Sequence, residues 1–153
     1  MKSTFQAIRL NELENYKNLI EKEDINIVNE DGQGLLHEAI SHNNTFIGLD
    51  LIWRGIDINK QDNNGQTALH FAASFSNEEL AKAIVKAGGN PNIRDNHGNN
   101  ALWTAVFNAR GKYNIVKIYK EAGGDSLSKN NAGRTPLDFS KQIKDESLIA
   151  LLQ

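Results

Sequence analysis

Six unlike residues of the stretch Asp62–Asn92 recur along the chain. Gly65, Leu69, His70, Ala72, Gly88 and Asn92 each have a counterpart 33 residues earlier, in Gly32, Leu36, His37, Ala39, Gly55 and Asn59. In the forward direction Gly98, Leu102 and Ala105 keep the register, Trp103 stands where the histidine did, and Gly123 arrives two residues late. A fixed period carrying one turn and two short helical patterns restricts the chain to a stacked solenoid. Helices shorter than about 12 residues are marginal in water, so each unit must bury its faces against the next.

The unit can be read residue by residue. Asp62-Asn63-Asn64-Gly65 predicts a type I turn with glycine last, the tip of a hairpin-like finger. Thr67 offers a hydroxyl at the N-cap of a first helix through Ala68-Leu69-His70-Phe71-Ala72-Ala73. Ser76 and Glu79 read as the capping box of a second helix, with Leu80, Ala83, Ile84 and Ala87 at helical spacing. Gly88-Gly89 stops that helix, and Pro91 keeps it from resuming.

On these residues, and on Thr135-Pro136-Leu137 near the C-terminus, the chain resembles the ankyrin-repeat family. The resemblance implies an all-α solenoid of helix-turn-helix units with β-hairpin-like finger loops, about four repeats plus an N-terminal helical cap. The expected divisions of this single domain are a cap at 1–28, repeats at 29–61, 62–94 and 95–129, and a C-terminal cap repeat at 130–153. In the cap, two short helices flank Asn11. The repeat at 29–61 has Gly34 where Thr67 stands in the next, so its first helix is expected to be less well capped, and Trp53-Arg54 are read as ending its second helix. The third repeat carries two extra residues within 108–113 and has Leu127 in place of Asn59 and Asn92. Such departures mark either a working face or drift. In the last repeat Thr135 caps, Pro136 takes the first helical position, and Asp138 replaces the histidine. Leu148, Ile149, Leu151 and Leu152 cannot all face inward, which leaves room for weak self-association of an otherwise monomeric chain.

Cysteine is absent, which excludes disulfides and thiolate metal sites and permits a reducing compartment. The N-terminus has no apolar leader core, and no run approaches the roughly 18 apolar residues of a membrane span. A cytoplasmic protein is expected, with no membrane partner. Six bases face eleven acids up to Asp62, and eleven bases face eight acids beyond it. That asymmetry either orients a charged protein partner or reflects drift of solvated faces.

No nucleophile motif, phosphate loop or dinucleotide fingerprint is present, and no histidine or carboxylate spacing fits zinc. The expectation is a non-enzyme without cofactor or metal. Arg110, Lys112, Lys117 and Lys120 form too small a basic cluster, in a slightly acidic chain, to argue for nucleic acid. His37 and His70 share one repeated position, which argues for a structural role; the resemblance implies a ring bridging backbone groups of adjacent turns.

What remains is a surface. The resemblance implies that fingers and first helices form one concave face that binds another protein. Carried over by position, its finger residues are Asp31 and Gln33, then Asn63, Asn64 and Gln66, then Asn96, His97 and Asn99. Its helix-end residues are His42, Phe75, Phe107 and Asn108, with Arg110 in the insertion. Phe75 and Phe107 either stand exposed as anchors or tuck against the adjacent helix pair. The chain is similar to small stand-alone bacterial ankyrin proteins, some of which inhibit a toxin or modulate an enzyme, which implies an inhibitor or immunity-type role. The alternative is a small-ligand-binding or enzymatic protein with a pocket near Trp103, Arg110 and Tyr113.

Overall fold

A computed structural model describes residues 3–153. Met1 and Lys2, which open the expected N-terminal cap, lie outside the described residues. Among those described, ten helices follow one another as five pairs. They are α1 Thr4–Arg9 and α2 Leu13–Ile20, α3 Leu35–Ser41 and α4 Thr45–Trp53, α5 Ala68–Ser74 and α6 Glu78–Lys86, α7 Ala101–Asn108 and α8 Asn114–Glu121, and α9 Pro136–Gln142 and α10 Glu146–Leu152. The first helices pack in one row, α1 on α3, α3 on α5, α5 on α7 and α7 on α9. A second row runs α4, α6, α8, α10. Strand pairing among the described residues is limited to an isolated antiparallel bridge between Val28 and Gly34.

Most of the helices end alike. The residue after the C-cap takes positive φ, and the two amides that follow the cap turn back onto the last helical turn. After α5, Ser76 has φ 55° and its N–H reaches Ala73 O (3.3 Å), while Asn77 N–H reaches Ala72 O (2.9 Å). Asn11, Asn43 and Lys144 repeat this role at φ 55°, 52° and 57°. This corrects the expected capping box at Ser76. A two-residue reversal needs a left-handed residue there, so capping passes to the next position, where Asn77 Oδ1 accepts from Leu80 N–H (3.0 Å). Asp145 does the same for Leu148 (3.0 Å). The second helices of the three middle pairs close on Gly55, Gly88 and Gly123, all at positive φ.

Thr67 opens α5 in a capping-box arrangement with His70, whose Nδ1 accepts Thr67 N–H (3.1 Å) and lies 2.9 Å from the Thr67 hydroxyl. At the end of the stack the same box is built with a carboxylate, where Asp138 N–H donates to Thr135 Oγ1 (3.0 Å) and Thr135 N–H to Asp138 Oδ2 (2.9 Å). Third-position Asp138 thus explains why the last copy does without a histidine.

The core lies between the rows. Leu36, Leu69 and Leu102 repeat one buried position of the first helices, and Leu51 and Ile84 one of the second. Burying such a side chain is worth about 1.5–3 kcal/mol. The small Ala72 and Ala105 let α5 and α7 pack closely. Buried Tyr119 donates to Leu69 O (2.6 Å) and so ties α8 to α5, one copy back. The stack is closed by Ile8 and Tyr16 at one end and by Leu148 and Leu152 at the other. Leu148 and Leu152 turn inward, while Ile149 and Leu151 are only half-buried.

Candidate protein-binding face

The four fingers are built by one device. Asn29, Asp62, Asp95 and Asn130 each use Oδ1 to accept the N–H groups two and four residues on, as in Asp62 with Asn64 (2.9 Å) and Gln66 (2.8 Å). Gly65 N–H returns to Asp62 O (2.9 Å), the turn bond expected from sequence. Neighbouring fingers are then joined by side-chain amides. Asn63 Nδ2 donates to Glu30 O (3.0 Å), Asn96 to Asn63 O (2.9 Å) and Asn131 to Asn96 O (2.9 Å). The glycines of the turns make room for this ladder. A Cβ on Gly32, Gly65 or Gly98 would meet the next finger's asparagine Oδ1 at 2.4, 2.8 or 2.5 Å.

This sorts the finger candidates. Asn63 and Asn96 commit their amides to the ladder, Asn99 Oδ1 accepts from Asn130 (2.9 Å), and Gln33 Oε1 accepts from Asn29 (3.3 Å). Asp31, Asn64 and His97, one per finger at the tip, are exposed, and their side chains make no hydrogen bond within the described residues. Half-buried Gln66 contributes its backbone carbonyl to the histidine stitch.

That stitch is the structural role expected of His37 and His70. Each Nδ1 accepts the N–H of its own helix N-cap, Gly34 or Thr67 (both 3.1 Å), and each Nε2–H donates to the next finger, at Gln66 O (3.1 Å) or Asn99 O (3.0 Å). Burial is the main force holding both rings below the usual histidine pKa, so they are neutral, as this bonding requires. A second ladder runs behind the fingers, where Asn26, Asn59 and Asn92 accept the N–H of Asp57, Asn90 and Asp125 in the following copy. Leu127 takes this position after the last such contact, so its departure marks the end of the ladder.

Along the first helices the aromatic side chains come forward. Phe75 is 51 % and Phe107 58 % exposed. Phe75 leans on Phe71 at 6.1 Å between ring centres, and the Phe71 ring meets His37 edge-on at 4.8 Å. Phe107 and Trp103 both pack on Phe139, at 5.4 and 5.6 Å. Sequence reasoning missed Phe139, whose column holds Glu38, Phe71 and Thr104 and so carries no repeating signal. At the same level His42 lies beside the buried Glu38 carboxylate (3.4 Å), which also holds Arg9 (2.8 Å), and Asn108 is bound to Thr104 O (2.8 Å). A family model described as Ankyrin repeats (3 copies) matches residues 4–95 and again residues 47–130.

The chain belongs to the ankyrin-repeat family. No curated protein matches it. Ankyrin repeats are in general protein–protein interaction modules, and no helix among the described residues is long and apolar enough to cross a membrane.

One feature of this ankyrin stack has no counterpart in its other copies. The two extra residues of the third repeat are absorbed by Arg110 and Gly111, at φ 44° and 84°, and a hollow of about 360 Å3 opens beneath them. Its walls include Glu78, Asn108, Lys112, Tyr113 and Lys117, but neither Trp103 nor Arg110. Arg110 is exposed on the rim of the loop. Lys82 (2.8 Å) and then Asn114 (3.0 Å) hold Glu78 below the usual carboxylate pKa, while bonding to Asp145 (3.0 Å) raises that of Tyr113. Among the described residues there is no group of histidines and carboxylates that could hold a metal.

Proposed function

We propose that this chain is a non-enzymatic binding module that grips a protein partner across its fingertips and first-helix ends. The observation that carries this reading is the pair of exposed aromatics, Phe75 and Phe107, each propped by a neighbouring ring and held on a hydrogen-bonded scaffold. A rigid, half-exposed aromatic gives up little entropy on binding and buries a large area, which is what an anchor residue needs. The unengaged tips Asp31, Asn64 and His97, with Arg110 at the insertion, supply polar contacts around that centre. Asn63, Asn96, Asn99, Gln33 and Asn108 are already bonded and contribute shape; Gln66 and His42 lie between the two groups.

The shifted titratable groups favour binding over catalysis. Glu78 moves down and Tyr113 up, both away from the near-neutral range a general base or acid needs. The small cysteine-free stack suits a cytoplasmic inhibitor or immunity-type protein. Affinity capture from native lysate with the wild-type chain, Phe75→Ala and Phe107→Glu tests the face. The expected result is a partner held by the wild type and lost by both variants; a partner retained equally by both would reject the face. Loss of the captured protein's activity in the complex would support the inhibitor assignment.

A further inference from the structure

The outer helices of the three middle copies share three outward positions. In α6 these hold Glu79, Lys82 and Lys86, and in α8 Asn114, Lys117 and Glu121, all exposed or half-exposed. In α4 the same positions hold Phe46, Leu49 and Trp53. Phe46 is 61 % and Trp53 82 % exposed, with half-buried Leu49 between them. Spacings of three and four residues put the three on one stripe of the helix. The opposite side of α4 is buried through Ile47 and Leu51, so this helix is apolar on both faces while its neighbours are polar or charged outside. Neither aromatic ring stacks on another ring among the described residues.

The charges around the stripe indicate what covers it. On the α2 side Lys17 pairs with Glu14 (3.3 Å) and Glu21 with Arg54 (2.7 Å), while Lys22, just past the helix, is exposed and makes no ion pair among the described residues. On the α6 side Lys82 is held by Glu78 (2.8 Å). Glu79 and Lys86 are exposed and make no ion pair among the described residues. Glu79 lies one copy on from Phe46 and Lys86 one copy on from Trp53, so acid and base stand level with the two aromatics. This order is self-complementary under a two-fold axis across the helices. An antiparallel pairing that lays Phe46 on a second copy's Trp53 also sets Glu79 against the second copy's Lys86, twice over.

We propose that the outer face of α4, with the flank of α6, is an isologous contact surface for a second copy of this chain. Two aromatics and a leucine fall short of the roughly 800 Å2 per partner of a stable interface, so the dimer is weak and forms as protein concentration rises. The surface lies on the opposite row of helices from Phe75 and Phe107 and leaves that face open.

Sedimentation equilibrium of the full chain into the millimolar range tests this, together with emission from Trp53 in a Trp103→Phe background, where it is the single indole. The expected result is a mass that climbs toward the dimer with concentration while Trp53 emission shifts to the blue. Trp53→Glu and Phe46→Glu stay monomeric. Glu79→Lys weakens association by up to about tenfold, and adding Lys86→Glu restores it. A chain that stays monomeric throughout that range overturns the proposal. Association that survives Trp53→Glu also overturns it. Dimerisation indifferent to Glu79→Lys, or not rescued by the charge swap, rejects the antiparallel arrangement.

Discussion

In the copy spanning 62–94, His70 sits between two backbones and joins its own helix start to the following finger; one copy later Trp103 fills the same place and joins neither. The work is redistributed. Asn100 caps α7 by accepting Trp103 N–H (2.9 Å), and Asn130 bridges to Asn99 (2.9 Å). Freed from stitching, the indole packs on Phe139 beside Phe107. One repeated position can therefore serve cohesion in one copy and surface shape in the next, provided nearby amides take over its hydrogen bonds.

The sharpest way to break this contrast is to remove each ring. His70→Ala leaves the Thr67 N–H and the Asn99 carbonyl without their partner in a buried setting, and is expected to cost about 2–3 kcal/mol in chemical denaturation. Trp103→Leu, at a half-buried site with no backbone bond to lose, is expected to stay within about 1 kcal/mol of wild type. Equal losses would show that the tryptophan carries a cohesive role of its own.

Smaller effects are expected from the turn glycines. A Cβ added at Gly98 (φ 77°) would lie 2.5 Å from Asn131 Oδ1, whereas one at Gly133 (φ 74°) would meet nothing within 4 Å. Alanine at Gly133 carries only the left-handed strain of about 1–2 kcal/mol. Gly98→Ala adds the collision with the finger ladder, so its melting temperature should drop further; matching drops would mean the ladder yields freely.

The gentlest test is acid. Both stitching histidines have a folded pKa below 6.5, the value of the free side chain. The unfolded chain therefore takes up protons first, and stability present above about pH 6.5 declines as pH falls toward the folded values. Urea midpoints between neutral and mildly acidic pH should show that slope in the wild type and less of it in His37→Asn/His70→Asn. An unchanged slope would assign the acid sensitivity to other groups.

Much of the architecture was readable because each helix is too short to fold alone and each copy repeats the residues that packing requires. Cap positions were harder. Ser76 looks like an N-cap in isolation, yet the left-handed turn moves that duty to Asn77. Of the face, Phe75 and Phe107 could be found as residues lying beyond the packing alanines, but not Phe139, whose aromatic character only matters once Trp103 and Phe107 are seen to lean on it from the preceding copy. The α4 surface shows the limit of reading along a helix. There Trp53 and Arg54 look like a helix end; compared with Lys86 and Glu121 in the neighbouring copies, Trp53 stands out as an aromatic where charge is the rule.

The finger ladder makes this molecule extensible. Every interior unit hands an amide backward and keeps a glycine-lined notch forward, so a tandem duplicate of 62–94 would find matching fittings on both sides. At Gly133 the notch is open, with nothing within 4 Å among the described residues, so a following finger's amide would fit there, whereas Leu127, unlike Asn59 and Asn92, has no amide to offer the second ladder.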